Sequence, residues 1–224
     1  MSMAKIAVFD INETTLDLAP VRAVLDDLLG HVGGFTVWFQ KLLQLSMTAT
    51  ATDNYADFST LARSAFGAVA ATSDQDIAAD GWDRVAVAMG SLDPYSDVVP
   101  GLNLLREHGW TIMALTNSAP ASVEAQLKRA GLWTLFDQVL SVDAVGAYKP
   151  AAAPYLFAAD KAGVEVSEIL MVACHDWDLA GARAAGMMTA FIRRPGMSYA
   201  ENYERPDMSV SSFVDLAISL VNVE

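Results

Sequence analysis

Short apolar runs that each break off at a polar residue and give way to a helical pattern recur through this chain. Residues 5–9 (KIAVF) stop at Asp10, residues 111–115, 139–142 and 169–174 repeat the form, and residues 189–192 make a fifth. Apolar runs of this length, partly β-branched and without polar alternation, read as strands buried on both faces. Amphipathic segments follow from near Pro100, Pro120, Pro150 and Asp178, and Gly109, Gly131, Gly163 and Gly186 end or follow them. Proline suits an early helical position because its missing N–H has no partner there. Strand and helix therefore alternate from about residue 100 onward. That order calls for an α/β fold, a doubly wound, Rossmann-like parallel sheet with helices on both faces.

Residues 18–95 interrupt the rhythm. They show helical periodicity at 21–29, 35–47, 55–69 and 77–89 and no strand. The expected organisation is a core domain of residues 1–17 and 96–224 carrying a helical cap domain of residues 18–95, seated over the carboxyl ends of the strands, where open parallel sheets bind ligands. Composition agrees with a packed chain: of 224 residues 53% are apolar and 18% charged, enough apolar surface to offset the entropy of ordering. A net charge of −13 without any basic cluster argues against a nucleic-acid partner. No apolar run reaches membrane-spanning length and none near the start is long enough for a signal core, so a cytoplasmic protein is expected. The single cysteine, Cys174, excludes an internal disulfide and a cysteine zinc cluster.

In this architecture the strand ends meet in one crevice. The first delivers Asp10, the second Thr116, Asn117 and Ser118, the third leads to Lys149, and the fourth to Cys174, His175, Asp176, Trp177 and Asp178. Singly each has a plainer reading: Asp10 a turn cap, Lys149 a solvated charge, Asp178 a helix N-cap. Together they bring two carboxylates, an ammonium, hydroxyls and an amide to one place.

The segments FDINETTLD (9–17), LTNSAP (115–120), AYKPAAAPY (147–155) and the D-x-D ending at Asp178 resemble the four ordered motifs of the haloacid dehalogenase superfamily. Within it the chain is most similar to the L-2-haloacid dehalogenases, and WFQKLLQLSMTATATDNYADF (38–58) resembles their cap. The resemblance implies hydrolysis of a small anionic halocarboxylate through an aspartyl ester on Asp10, with no cofactor, no metal, no membrane partner, and a homodimer as the assembly. On that resemblance Asp178 would orient the hydrolytic water, Lys149 would offset the crowded negative charge, and Thr14 and Thr116 would hold carboxylate or substrate oxygens. By the same resemblance Asn117 would donate to substrate or halide, and Tyr155 would support the site. Ile11, Asn12, Phe39 and Trp177 complete the substrate-binding set.

Departures from the family pattern fall at substrate-handling positions. The motif-one tyrosine and glycine are Asn12 and Glu13, the cap arginine is Phe39, and the fourth-motif serine and asparagine are Ala173 and His175. Phe39 cannot supply the planar charge of an arginine. His175, whose imidazole changes charge near neutral pH, is a candidate to donate to halide or substrate carboxylate, or to activate water. The alternatives are a Mg²⁺-dependent phosphatase using Asp10 with Asp176 or Asp178, and a small-carboxylate-binding protein that has lost turnover. Against the phosphatase, Asn12 stands where its general acid belongs and Cys174 where its metal-binding aspartate belongs, a poor exchange for a hard cation.

Overall fold

The computed structural model describes residues 5–222; the outermost parts of the expected core segments, 1–4 and 223–224, lie outside the described residues. Six strands form one all-parallel sheet in the order β3-β2-β1-β4-β5-β6. They are β1 (Ile6–Phe9), β2 (Thr111–Thr116), β3 (Gln138–Ser141), β4 (Ile169–Ala173), β5 (Met188–Ile192) and β6 (Met208–Val210). The expected runs correspond to the first five. The edge strand β6 was not among them, and neither was the last helix, α9 (Phe213–Val221), capped by Ser212, whose side chain accepts from the Asp215 N–H.

Period-two alternation separates the two faces of the sheet. Ala7 and Phe9 of β1 join Ile112, Ala114 and Val172 in a cluster with α9 and α5 (Val98–Glu107). Ile6 and Val8 join Met113, Leu115 and Met171 in a second cluster, packed by α7 (Ala152–Ala162) and α8 (Asp176–Ala184). The remaining core helix, α6 (Pro120–Arg129), buries Val123 and Leu127 in the first cluster. Two expected helix starts move. Pro150 stays in the loop, joined to Lys149 by a cis peptide bond, and α7 begins at Ala152. Asp178 lies inside the first turn of α8, and His175 occupies the N-cap position.

Between β1 and α5 the described residues form four helices and no named strand: α1 (Ala19–Leu29), α2 (Gly34–Ala51), α3 (Phe58–Ala70) and α4 (Gly81–Met89). Their buried faces, including Leu25, Trp38, Phe66 and Val85, belong to the same apolar cluster as the sheet face holding Phe9. Polar ties add to this packing. Tyr148 N–H donates to Thr50 Oγ1 at 2.9 Å, its hydroxyl donates to the Ala56 carbonyl, and the Tyr55 hydroxyl donates to Asp143. The residue preceding Lys149 is thus held by α2 and by the segment that leads into α3. Among the described residues no helix is long and apolar enough to cross a membrane.

Candidate active site

β1 ends inside the sheet, so Asp10 emerges at the carboxyl edge between β2 and β4. The following loop turns tightly: Thr15 and Leu16 N–H both donate to the Ile11 carbonyl at 2.9 Å, and Glu13 N–H donates to the Leu16 carbonyl. Glu13 takes a left-handed backbone (φ 62°), a conformation that costs a non-glycine residue about 1 kcal/mol or more. Buried Arg194, two residues past the end of β5, fixes the loop, donating Nε and Nη2 to the Thr14 carbonyl at 3.0 and 2.9 Å while Nη1 pairs with Asp97 at 2.7 Å.

The Asp10 carboxylate is held on both oxygens. Lys149 Nζ donates to Oδ1 at 3.1 Å and Thr14 Oγ1 donates to Oδ2 at 2.8 Å. Lys149 also donates to Asp178 Oδ2 at 2.8 Å, and the Tyr155 hydroxyl donates to Asp178 Oδ1 at 2.7 Å. Lys149, Tyr155 and Asp178 are fully buried. Asn117 Oδ1 accepts from the Lys149 backbone N–H at 3.2 Å and so joins the loop after β2 to the lysine. Thr116 Oγ1 accepts from the Ser118 N–H, and Asn12 Nδ2 donates to Ser118 Oγ.

Charge and burial compete here. Burial opposes ionisation of Asp10, yet the Lys149 ammonium, then His175 and Thr14, hold its carboxyl well below the usual range. Burial disfavours the Lys149 ammonium, but Asp10 and Asp178 outweigh it and raise its pKa. Asp178 goes the other way: burial raises it and Asp10 adds repulsion, together exceeding the pull of Lys149. Burial, with the neighbouring Asp178 charge, keeps Tyr155 protonated. The two carboxylates are therefore unequal, one firmly ionised and one more basic.

His175 was expected as a single substitution and arrives as part of a chain of charges. Its Nε2 lies 3.0 Å from Glu13 Oε2, its Nδ1 3.5 Å from Asp10 Oδ2, and Glu13 Oε1 accepts from Arg22 at 3.2 Å. Burial favours the neutral imidazole; Cys174, Asp10 and Glu13 overcome this and raise its pKa well above the ordinary value. Its ring stacks on Trp177 at 5.2 Å and tilts against Phe39 at 5.9 Å.

A cavity of about 20 Å³ is lined by Asp10, Asn12, Thr116, Asn117 and His175 on the polar side and by Phe39, Leu43, Phe58 and Trp177 on the apolar side. The Ile11 side chain does not line the cavity. Alternation continues past β1, so its side chain follows Ala7 and Phe9 into the core rather than into the cavity. Lys149, Asp178, Thr14 and Tyr155 stand behind the cavity wall, reaching it through Asp10. The partners of the Asp10 carboxylate are an ammonium, a hydroxyl and an imidazole, a set unsuited to a hard cation that seeks oxygen donors. Among the described residues no group of three or more His, Cys, Asp and Glu side chains is arranged for a metal ion.

The sequence profile of the haloacid dehalogenase-like hydrolases matches residues 4–186. The chain belongs to this hydrolase family. Within it, the chain is 31% identical over 214 residues to an (S)-2-haloacid dehalogenase of Pseudomonas sp. strain YL, covering 95% of this chain and 92% of the relative. The solved L-2-haloacid dehalogenase of Xanthobacter autotrophicus superposes with a TM-score of 0.89 at 27% identity, covering 99% of this chain and 100% of that one. Its form with chloropropionic acid covalently bound gives the same TM-score and coverage at 26% identity. Against that family background, this hydrolase's additional site residues are Glu13, Arg22 and Arg194. Glu13 was noted only as a departure from a glycine. Its backbone takes a positive φ that glycine adopts freely, and its carboxylate contacts His175.

Proposed function

We propose that the chain is a hydrolytic dehalogenase of small 2-haloacids, converting a 2-haloacid and water to a 2-hydroxy acid and halide. The observation that carries this reading is Asp10: a buried carboxylate kept ionised by Lys149 and Thr14 at the wall of a small, partly apolar cavity. Such a group is a positioned nucleophile shielded from bulk water. The relatives named (S)-2-haloacid dehalogenases supply the substrate class.

In the first step an Asp10 carboxylate oxygen attacks the carbon bearing the halogen. The carbon–halogen bond breaks, its electron pair leaves with the halide, and an aspartyl ester forms. In the second step water adds at the Asp10 carboxyl carbon and Asp178 takes its proton. The carboxyl carbon–oxygen bond then breaks, the departing alkoxide recovers a proton, and the 2-hydroxy acid and free Asp10 result. Asp178 suits the acceptor role because its basicity is raised. Lys149 holds both carboxylates in place, Tyr155 fixes Asp178, and Thr14 holds Asp10. Asn12, Thr116 and Asn117 face the polar end of the substrate or the halide, Phe39 and Trp177 its apolar body, and Ile11 contributes through its backbone alone.

Residues 18–95 act as a cap domain on a core of residues 1–17 and 96–224. A cavity of about 20 Å³ has room for about one water. The second step needs water to reach Asp178 behind Lys149. A cytoplasmic homodimer acting without cofactor, nucleic acid or membrane partner completes the reading. Halide release from 2-chloropropionate or haloacetates without added metal is expected, and its loss in Asp10→Asn. No halide from any haloacid overturns the proposal.

A further inference from the structure

The proposed substrate brings a carboxylate to a site that already holds Asp10, Asp178 and Glu13 within its walls or directly behind them. Lys149 cannot serve it: the ammonium is fully buried and is shared between Asp10 and Asp178. Phe39 on α2, facing the cavity from the cap side, carries no charge. Among the described residues lining the cavity, His175 is the one side chain able to bear a positive charge.

Its geometry favours that charge. Glu13 accepts at Nε2 from 3.0 Å, and Nδ1 is buried without a hydrogen-bond partner, 3.5 Å from Asp10 Oδ2. A neutral ring that donates from Nε2 would aim the Nδ1 lone pair at a carboxylate; protonation replaces that repulsion with an N–H facing Asp10, a residue that with His175 lines the cavity. Glu13 is itself fixed by Arg22 on α1, whose guanidinium lies 4.1 Å over the Phe35 ring. From every side the neighbours are accounted for: Asp10 and Glu13 from the β1 loop, Cys174 and Asp176 beside it in sequence, Arg22 through Glu13, Lys149 through Asp10, and apolar Phe39 and Trp177 above.

We infer that Glu13 is a positioning residue that locks His175 as an imidazolium, so that its Nδ1–H forms the anion-recognising donor for the substrate carboxylate. The αL backbone at Glu13 is the conformational cost of placing an acid there. The inference rests on the haloacid reading for its substrate, but the Glu13–His175 pair itself is testable without turnover.

The test uses Glu13→Gln, which keeps shape and loses charge, and Glu13→Gly, which also relieves the positive φ and so keeps the fold accessible. Ring ¹⁵N NMR of His175 is followed against pH in the full chain, and kcat and KM for 2-chloropropionate are measured across the same range. Expected in both variants are a His175 titration moved down by about one unit or more, an alkaline fall in kcat/KM that moves with it, and a KM raised roughly tenfold at pH 8 with a smaller change in kcat. An unmoved His175 titration overturns the inference whether or not the protein dehalogenates. A moved titration with unchanged KM overturns the carboxylate-recognition role. Absence of turnover in the unmodified chain, with the titration moved, overturns the haloacid reading and with it the substrate role, leaving the ion pair established.

Discussion

Lys149 directs its ammonium at Asp10 from 3.1 Å while being shielded completely from solvent. The lysine arrives from the loop after β3 and the aspartate from the end of β1, 139 residues apart, and the pairing gives the site its charge order. Lys149→Met leaves two carboxylates uncompensated in a dry interior. Breaking a buried pair in this way costs about 3–5 kcal/mol, and a loss of roughly a hundredfold or more in kcat is expected from the missing electrostatic support. Thermal unfolding and halide release measure both. Lys149→Arg does not rescue, because a guanidinium is too large for a fully packed ammonium site.

The pH dependence separates the two carboxylates. Asp10 is depressed, so it stays ionised through mild acid; Asp178 is raised and loses its base form first. The acid limb of kcat therefore belongs to Asp178 and lies above the ordinary aspartate value of 3.8. Stability carries the opposite signs for the two groups. The Asp10 contribution is present above 3.8 and is lost as pH falls through its lower folded value. The contributions of Asp178 and His175, both raised, are present below 3.8 and 6.5 respectively and are lost as pH rises through their folded values. Urea midpoints taken across pH 2–9 (~2–9) in the parent and in Asp178→Asn test the assignment: the variant loses the Asp178 component and the acid limb together.

Phe58 divides space as well as filling it. It lines the site cavity on one side and, on the other, a groove of about 460 Å³ between α2, α3, α4 and α6. Phe58→Ala joins the two. Relative kcat/KM for longer-chain 2-haloacids over haloacetates is expected to rise, at a stability cost of about 3 kcal/mol. An unchanged chain-length profile places the substrate's alkyl end elsewhere.

Gly181 of α8 tests how tightly the Lys149 loop is set. A Cβ there would lie 2.5 Å from Pro150 Cβ and 2.6 Å from its carbonyl oxygen. Backbone cannot yield as a side-chain tip does, so Gly181→Ala pushes Pro150 and Lys149 away from Asp10. A loss of about 1–3 kcal/mol is expected, with activity falling further than in a surface variant of equal stability.

The sheet was readable because parallel strands buried on both faces need no polar alternation, and five of them stand out as apolar runs. β6 did not, since Ser209 interrupts a three-residue edge strand that is only partly buried. The α9 cap is legible in sequence, with Ser212 followed three residues on by Asp215 ahead of an apolar stretch. Asp10, Lys149 and Asp178 could be placed together because each ends or follows a strand. The Glu13–His175 contact could not, because it joins residues 162 apart through a backbone conformation that sequence does not advertise for glutamate. The Ile11 side chain packs in the core, because strand alternation carries it with Ala7 and Phe9, and this leaves its backbone beside Asp10.

The covalent step is the centre of the account. One turnover of excess enzyme with 2-chloropropionate in ¹⁸O-water, followed by mass spectrometry of the peptide holding Asp10, reads it directly. Attack by Asp10 and hydrolysis at its carboxyl carbon predict heavy oxygen in the Asp10 carboxylate and none in the first-formed 2-hydroxy acid. Label in the product with an unlabelled Asp10 contradicts it, because water would then have displaced the halide without an ester.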